Sequence, residues 1–258
     1  MNYLNYYESN GENRTNSQSG KARKLSTIRS FFKYFFNKNK LKSNVTAKVE
    51  TPKIRSKEII RLDVDEVVKI IDEAENQTSL TAKQKSLKSS TSIRDTAILT
   101  LLLGTGIRVS ECVGLNVEDI DFNNNAFKVT RKGGNQVVLY FSEEVAESLK
   151  VWIKKRELML DGIEDNALFI SLQRKRICVR AVEKLVKKYA QIAAPLKKIT
   201  PHKLRSTYGT NLYKETQDIY IVAEVLGHKD VNTTRKHYAA ISEDARRNVA
   251  NVIKLRDE

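Results

Sequence analysis

The 258-residue chain has few of the residues that cross-link or punctuate a fold: two cysteines, three prolines and ten glycines. Two thiols, Cys112 and Cys178, are too few for a disulfide framework and are expected to be reduced, as in a cytoplasmic protein. No Cys-x-x-Cys pair occurs, so structural zinc is not indicated. Scarce Gly and Pro exclude collagenous and low-complexity classes. No apolar run approaches the ~20 residues of a membrane-spanning helix, and a membrane is not expected among the partners. Met1 to Glu8 has no basic stretch followed by an apolar one, so a signal peptide is not expected there. The motifs G-x-x-x-x-G-K-[ST], H-E-x-x-H and G-x-S-x-G are also missing, and the carboxylates show no spacing that suggests a two-metal nuclease. No metal or other cofactor is expected.

Negative charge is short as well. Lys and Arg number 46 against 31 Asp and Glu, a net charge of +15. The excess is uneven: residues 1–60 hold thirteen Lys/Arg and four Asp/Glu. A basic surface of this kind favours a polyanionic partner such as nucleic acid. Hydrophobic residues make up 40% of the chain, enough for a core.

Residues 1–9 suggest a short helix and 9–20 a polar loop. From Lys21 to about residue 37, Leu25, Ile28, Phe31, Phe32 and Phe35 recur at helical spacing, with Lys24, Arg29, Lys33 and Lys38 among the other positions. This predicts a helix with an aromatic core face and a basic outer face. Residues 37–57 read as a linker. A helix is expected from Asp63, with Glu66 completing a capping box and Val64, Val67, Val68 and Ile71 as its buried stripe. Residues 76–92 read as an exposed loop. Ile93–Leu103 is a strongly apolar helix that Gly104 should end, and Arg108 follows at the mouth of the next helix. Two strands, 126–130 and 136–140, flank a hairpin turn with Lys132 at its entry. A long helix over 143–160 carries the sole tryptophan, Trp152. Ala167–Phe169 suggests a third short strand. Helices are expected at 178–190, 202–213, 218–226, 232–240 and 243–255.

All three histidines, His202, His228 and His237, fall between Thr200 and Tyr238. Arg108, Lys132, His202, Arg205, His228 and Tyr238 are the parts that a metal-free attack on a phosphodiester requires. Two guanidinium forks can hold the non-bridging oxygens. A lysine can protonate the leaving oxygen. A tyrosine can hold the phosphoryl group as an ester once its unperturbed pKa of ~10 is overcome by nearby cations or a base. Histidines can share the proton. Taken singly, each has an ordinary reading as a surface or structural residue.

Their order and local words resemble the tyrosine recombinase family, the integrase class, and its Xer-like branch. Thr105-Gly106-Ile107-Arg108-Val109-Ser110-Glu111 is similar to the family's first box and Lys132-Gly133 to its hairpin lysine motif. Pro201-His202-Lys203-Leu204-Arg205-Ser206-Thr207 is similar to its second box, and Leu226-Gly227-His228-Lys229 through Tyr238 to its last. The likeness spans roughly residues 55–250. It implies a mainly α fold with a small antiparallel β-sheet, as a catalytic domain over 51–258. Before it, residues 1–50 would be a partial helical DNA-clamping segment and linker. It also implies site-specific recombination of double-stranded DNA at inverted-repeat sites by a homotetramer. Arg108 and Arg205 would clamp the phosphate and Lys132 would be the general acid. His202 would assist proton transfer, His228 would bond a phosphate oxygen, and Tyr238 would attack. Glu111 would be a structural acid. A type IB topoisomerase-like relaxing enzyme, or a non-catalytic DNA-binding relative, are the alternatives. Departures from the family are Arg131 in place of a frequent glycine before the lysine, Ser206 where a second histidine is common, and a front end with about two helices instead of four or more. The apolar face of the last helix (Val249, Val252, Ile253, Leu255) fits packing on its own chain or on a neighbour.

Overall fold

The computed structural model describes residues 4–9, 12–54, 60–76, 82–131, 133–228, 230, 231 and 234, with 8–9 and 82–90 through their backbone alone. The chain divides into two compact units, Met1–Glu58 and Ile59–Glu258. The helices expected at 232–240 and 243–255 lie outside the described residues.

The first unit opens with strands, not the expected helix and loop. β1 (Tyr6–Ser9) and β2 (Glu12–Thr15) pair antiparallel, with Ser9 opposite Glu12. The two residues between them in sequence are Asn10-Gly11, a strong tight-hairpin signal, and Tyr6 and Tyr7 favour strand. α1 (Gln18–Asn37) follows, with the Ser17 hydroxyl accepting from the Gly20 N–H at 3.2 Å. Its aromatic stripe is only partly covered within this unit: Leu25 is buried, Ile28, Phe32 and Phe35 are half-buried, and Phe31 is exposed. Phe31 instead packs on Phe35 of the same helix, with ring centroids 4.7 Å apart. Arg29, expected on a solvated basic face, donates to Val49 O and to Thr51 Oγ1 (2.7 Å). It thereby fastens the segment after a 3₁₀ turn (Val45–Lys48) to α1. Among the described residues of this unit α1 is the one α-helix, where about two were expected.

The second unit is built around the expected apolar helix, which is longer than its apolar stretch. α3 (Ala82–Thr105) includes much of the segment read as a loop. That segment is polar but holds no Gly or Pro to break a helix. Ala97, Ile98, Leu99, Leu101 and Leu102 are buried where α2 (Val64–Asn76), α5 (Glu143–Leu160) and α7 (Pro201–Thr216) pack on α3. Ile70 and Ala74 are the buried apolar residues of α2, with Val67 and Ile71 partly buried; Val64 and Val68 are exposed. Packing on α3 and α6 (Val179–Ala193), not composition, sets which stripe faces in. The Glu66 carboxylate accepts from the Asp63 N–H at 2.8 Å, the capping-box half that sequence predicts.

Gly104 does not end α3. A Cβ there would sit 2.7 Å from Val145 Cγ2, so this glycine lets α3 and α5 approach closely. The stop comes two residues later, where Gly106 takes φ +63 and its N–H donates to Leu102 O. A Cβ on Gly106 would lie 2.3 Å from the Tyr208 ring.

The short helix α4 (Val109–Gly114) leads to a three-stranded antiparallel sheet, β3 (Ile120–Asp121), β4 (Ala126–Thr130) and β5 (Gln136–Tyr140), in that order. Phe127 and Val129 are buried and Lys128 and Thr130 exposed, the alternation of a one-sided strand. Ala167–Phe169 is not a full strand. Ala167 and Ile170 make isolated bridges to Asn116 and Arg176. Donors from α5 take the carbonyls there: Trp152 Nε1 to Leu168 O at 2.8 Å and Arg156 Nε to Ala167 O at 2.7 Å. α8 (Ile219–Leu226) follows α7 and starts at Asp218, whose side chain accepts from the Tyr220 N–H. No helix of the described residues is long and apolar enough to cross a membrane.

Two expectations follow. Gly106→Ala combines a strained positive φ with overpacking against Tyr208 and should cost roughly 2 kcal/mol or more, read as a lowered thermal midpoint. The second concerns Lys197, which bonds Asp63 (2.9 Å) and Glu66 (2.7 Å) and so joins the approach to α7 to the start of α2. The hydrogen bond and charge of Lys197 hold the Asp63 carboxyl below its ordinary value. A depressed carboxyl contributes stability above its unfolded pKa, near ~3.9, and loses it as pH falls through the folded value. Lys197→Met should therefore unfold more easily at pH 6, and its deficit from this pair should shrink below about pH 4; a pH-independent deficit would count against the pair.

Candidate active site

An α-helix ends with carbonyls that have no partner inside the helix and carry the negative end of its dipole. At the carboxyl end of α8 these oxygens are taken in sequence. Gly227 adopts φ +61, and the chain turns back so that the His228 N–H donates to Ala223 O and the Gly227 N–H to Glu224 O, both at 2.9 Å. Arg131 donates to Glu224 O (3.2 Å) and Val225 O (2.7 Å). Arg205 donates to Leu226 O, and Arg108 to Gly227 O at 3.1 Å. Three guanidiniums from distant parts of the chain thus meet on four consecutive carbonyls.

Each arrives by a separate route. Arg108 precedes α4, and Glu111 one turn on holds it from two sides. The Glu111 carboxylate accepts from the Arg108 backbone N–H at 2.8 Å and from its Nη1 at 2.7 Å. Glu111 is buried, whereas the Arg108 side chain is 37% exposed and keeps an open side. Arg205 lies one turn after His202 on α7, which Pro201 starts at its first position. Arg205 is buried and also donates to Gly106 O at 2.6 Å. The glycine turn that ends α3 therefore supplies an acceptor to the second arginine two residues before it delivers the first. Arg131 sits on the loop between β4 and β5, where burial pulls its guanidinium below the usual arginine value; it remains a cation at any accessible pH.

An open cleft of about 960 Å³ lies here, lined by Arg108, Glu111, Arg131, Gly227, His228 and Asp230 among others. His228 follows the α8 cap, and its Nδ1 is 2.7 Å from the buried Thr234 hydroxyl. His202 is exposed on the first turn of α7 and is not among the residues lining the cleft. Of the six site residues expected from sequence, Arg108, Arg205 and His228 converge at the end of α8. Lys132 and Tyr238 lie outside the described residues. Arg131 is the participant that the sequence reading passed over as part of a turn. Its signal was parity: Phe127 and Val129 face the body of the domain, and Arg131 is next on that side.

Comparison with known proteins identifies the family. The family model described as the phage integrase family matches residues 60–244. Tyrosine recombinase XerC of Thermodesulfovibrio yellowstonii is 35% identical over 223 residues, covering 85% of this chain and 70% of the relative. Tyrosine recombinase XerD of Staphylococcus haemolyticus is 32% identical over 215 residues, covering 83% and 69%. Among solved structures, the XerH site-specific recombinase bound to a palindromic difH substrate, a post-cleavage complex, superposes with a TM-score of 0.72 at 19% identity, covering 91% of this chain and 67% of that one. A lambda integrase tetramer bound to a Holliday junction gives 0.61 at 18% identity, covering 85% and 59%.

The Arg108–Glu111 pair is directly testable. Glu111→Gln keeps the shape and removes the charge. A loss of about 1–2 kcal/mol is expected in urea unfolding, less than for a fully buried pair because Arg108 is partly solvated. An unchanged midpoint would remove the pair from the account of how Arg108 is held.

Proposed function

Because the chain belongs to the phage integrase family, the tyrosine recombinases, we propose that it is a site-specific DNA recombinase that cuts and rejoins strands without a metal. The observation that carries this reading is the meeting of Arg108 and Arg205 on adjacent carbonyls, Gly227 O and Leu226 O, beside His228. A guanidinium bonds an anionic phosphate oxygen more strongly than a neutral carbonyl, so a scissile phosphate entering the cleft would meet the Arg108 fork, which lines it, with the buried Arg205 one carbonyl away and not itself in the cleft wall. The charge that builds on the non-bridging oxygens in the transition state is met by cations already in place.

In the proposed reaction the Tyr238 oxygen attacks the phosphorus, and the P–O5′ bond breaks as Lys132 gives a proton to the departing 5′-oxygen. The product is a 3′-phosphotyrosyl bond and a free 5′-hydroxyl. His202 assists proton transfer, and His228 bonds a phosphate oxygen. The 5′-hydroxyl of another strand reverses the step, and the bond energy kept in the ester makes ATP unnecessary. The partners are double-stranded DNA with inverted-repeat sites and three further copies of the chain. Residues 1–50, rich in Lys and Arg, would serve as a partial DNA clamp.

The test is a nicked suicide duplex carrying a candidate inverted-repeat site from the DNA flanking the encoding gene. A covalent protein–DNA adduct is expected on denaturing gels with the wild-type chain. Tyr238→Phe should abolish the adduct and leave DNA binding in place. An adduct that survives the substitution would show that Tyr238 is not the nucleophile.

A further inference from the structure

We propose that Arg131 is a positioning residue for strand cleavage: it locks the loop that carries Lys132 onto the carboxyl end of α8. The inference rests on the recombinase reading above and adds a residue to it.

The backbone of Arg131 closes the loop at both ends. Its N–H donates to Asn135 O at 2.8 Å, and its own carbonyl accepts from the Gly134 N–H at 3.0 Å. The loop is permissive, since Gly133 and Gly134 both take positive φ, +101 and +84, with nothing near where a Cβ would be. A two-glycine loop does not hold its own direction. The Arg131 side chain provides what the loop lacks. Its fork reaches across to two carbonyls in the last turn of α8, Glu224 O and Val225 O. It also lies close against Gly227: a Cβ there would fall 2.5 Å from the guanidinium carbon and 2.2 Å from Nη1. Gly227 thus answers two demands, the left-handed turn and room for Arg131. The sheet leads into this direction, because Arg131 is the first residue past β4 and has the parity of the buried Phe127 and Val129. The next residue in sequence is Lys132, and the residue after Gly227 is His228. One side chain therefore ties the residue before the proposed acid to the helix end that precedes His228, a proposed phosphate ligand.

A guanidinium is suited to this task. Two parallel N–H donors fix orientation as well as distance, which a lysine cannot do. The Arg131 Nε is buried with no hydrogen-bond partner, so the residue is held through its two terminal nitrogens.

The test uses the full chain and two nicked duplexes of the same sequence, one with the ordinary phosphodiester and one with sulfur replacing the 5′-bridging oxygen at the cut. When the tyrosine attacks the sulfur substrate, the P–S bond breaks and the electron pair leaves as a thiolate. A thiol has a pKa of ~8.5, so this leaving group needs no proton. If Arg131 acts by placing the proton donor, Arg131→Ala and Arg131→Lys should each slow adduct formation on the ordinary duplex on the order of 10²-fold. Both should remain close to the wild-type rate on the sulfur duplex. Equal losses on the two duplexes would mean that Arg131 serves the phosphate clamp or the fold, and no loss on either would mean that it does neither; each result overturns the proposal. A wild-type rate for Arg131→Lys on the ordinary duplex would also overturn it, because charge alone would then suffice. Arg131→Lys carries the test if Arg131→Ala fails to fold. Failure of the wild-type chain to form an adduct on both duplexes is a different result: it sinks the recombinase reading and this inference with it.

Discussion

The carboxyl end of α8 is the constraint that the site depends on. A helix must end somewhere, and its last carbonyls must find donors or water. Here the donors are Arg131, Arg205 and Arg108, placed on residues 224 to 227. No two of these arginines are neighbours in the chain, and each comes from a different element. The fold reads as a way of bringing three cations to one helix end. α3 places the turn at Gly106, the sheet delivers Arg131, α7 delivers Arg205, and α8 supplies the acceptors.

Two glycines make the convergence geometrically possible, for related reasons. Gly106 and Gly227 both take a left-handed conformation and both sit where a Cβ would strike a neighbouring side chain, Tyr208 at one and Arg131 at the other. Gly106 also offers its carbonyl to Arg205. Of ten glycines in all, these two stand just past the ends of α3 and α8, which Arg205 joins through Gly106 O and Leu226 O. By contrast Gly104, which looked like the helix stop, is a packing residue where α3 meets α5.

The elements legible from sequence were α5, β4 and β5, and the cores of α6, α7 and α8. At α1 and α2 the miss has one cause: local pattern does not reveal what lies on the other side of an element. The stripe of α2 is chosen by α3 and α6, so Ile70 and Ala74 were missed and Val64 and Val68 wrongly included. The aromatic face of α1 predicted a core, yet its own unit contains too little to cover it. β1 and β2 are a different case, since the Asn10-Gly11 pair between them is a local hairpin signal. At the site, Arg108, Arg205 and His228 were found through their local words. Arg131 was not, because its role comes from a contact ninety-odd residues away, with Glu224 and Val225.

The choice of acceptor matters to the chemistry. Carboxylates placed against all three arginines would hold them equally well but would cancel the field that a phosphate must feel. Backbone carbonyls orient a guanidinium through partial charge only. Glu111 gives Arg108 a full counter-charge, but on one side, with the other side open to the cleft. The arginines are therefore held in register and remain cationic. In the proposed reaction the incoming phosphate does not have to displace a stronger anion. It exchanges a neutral acceptor for a charged one, which makes the same contacts favourable for binding and, as negative charge grows on the phosphoryl oxygens, more favourable still in the transition state.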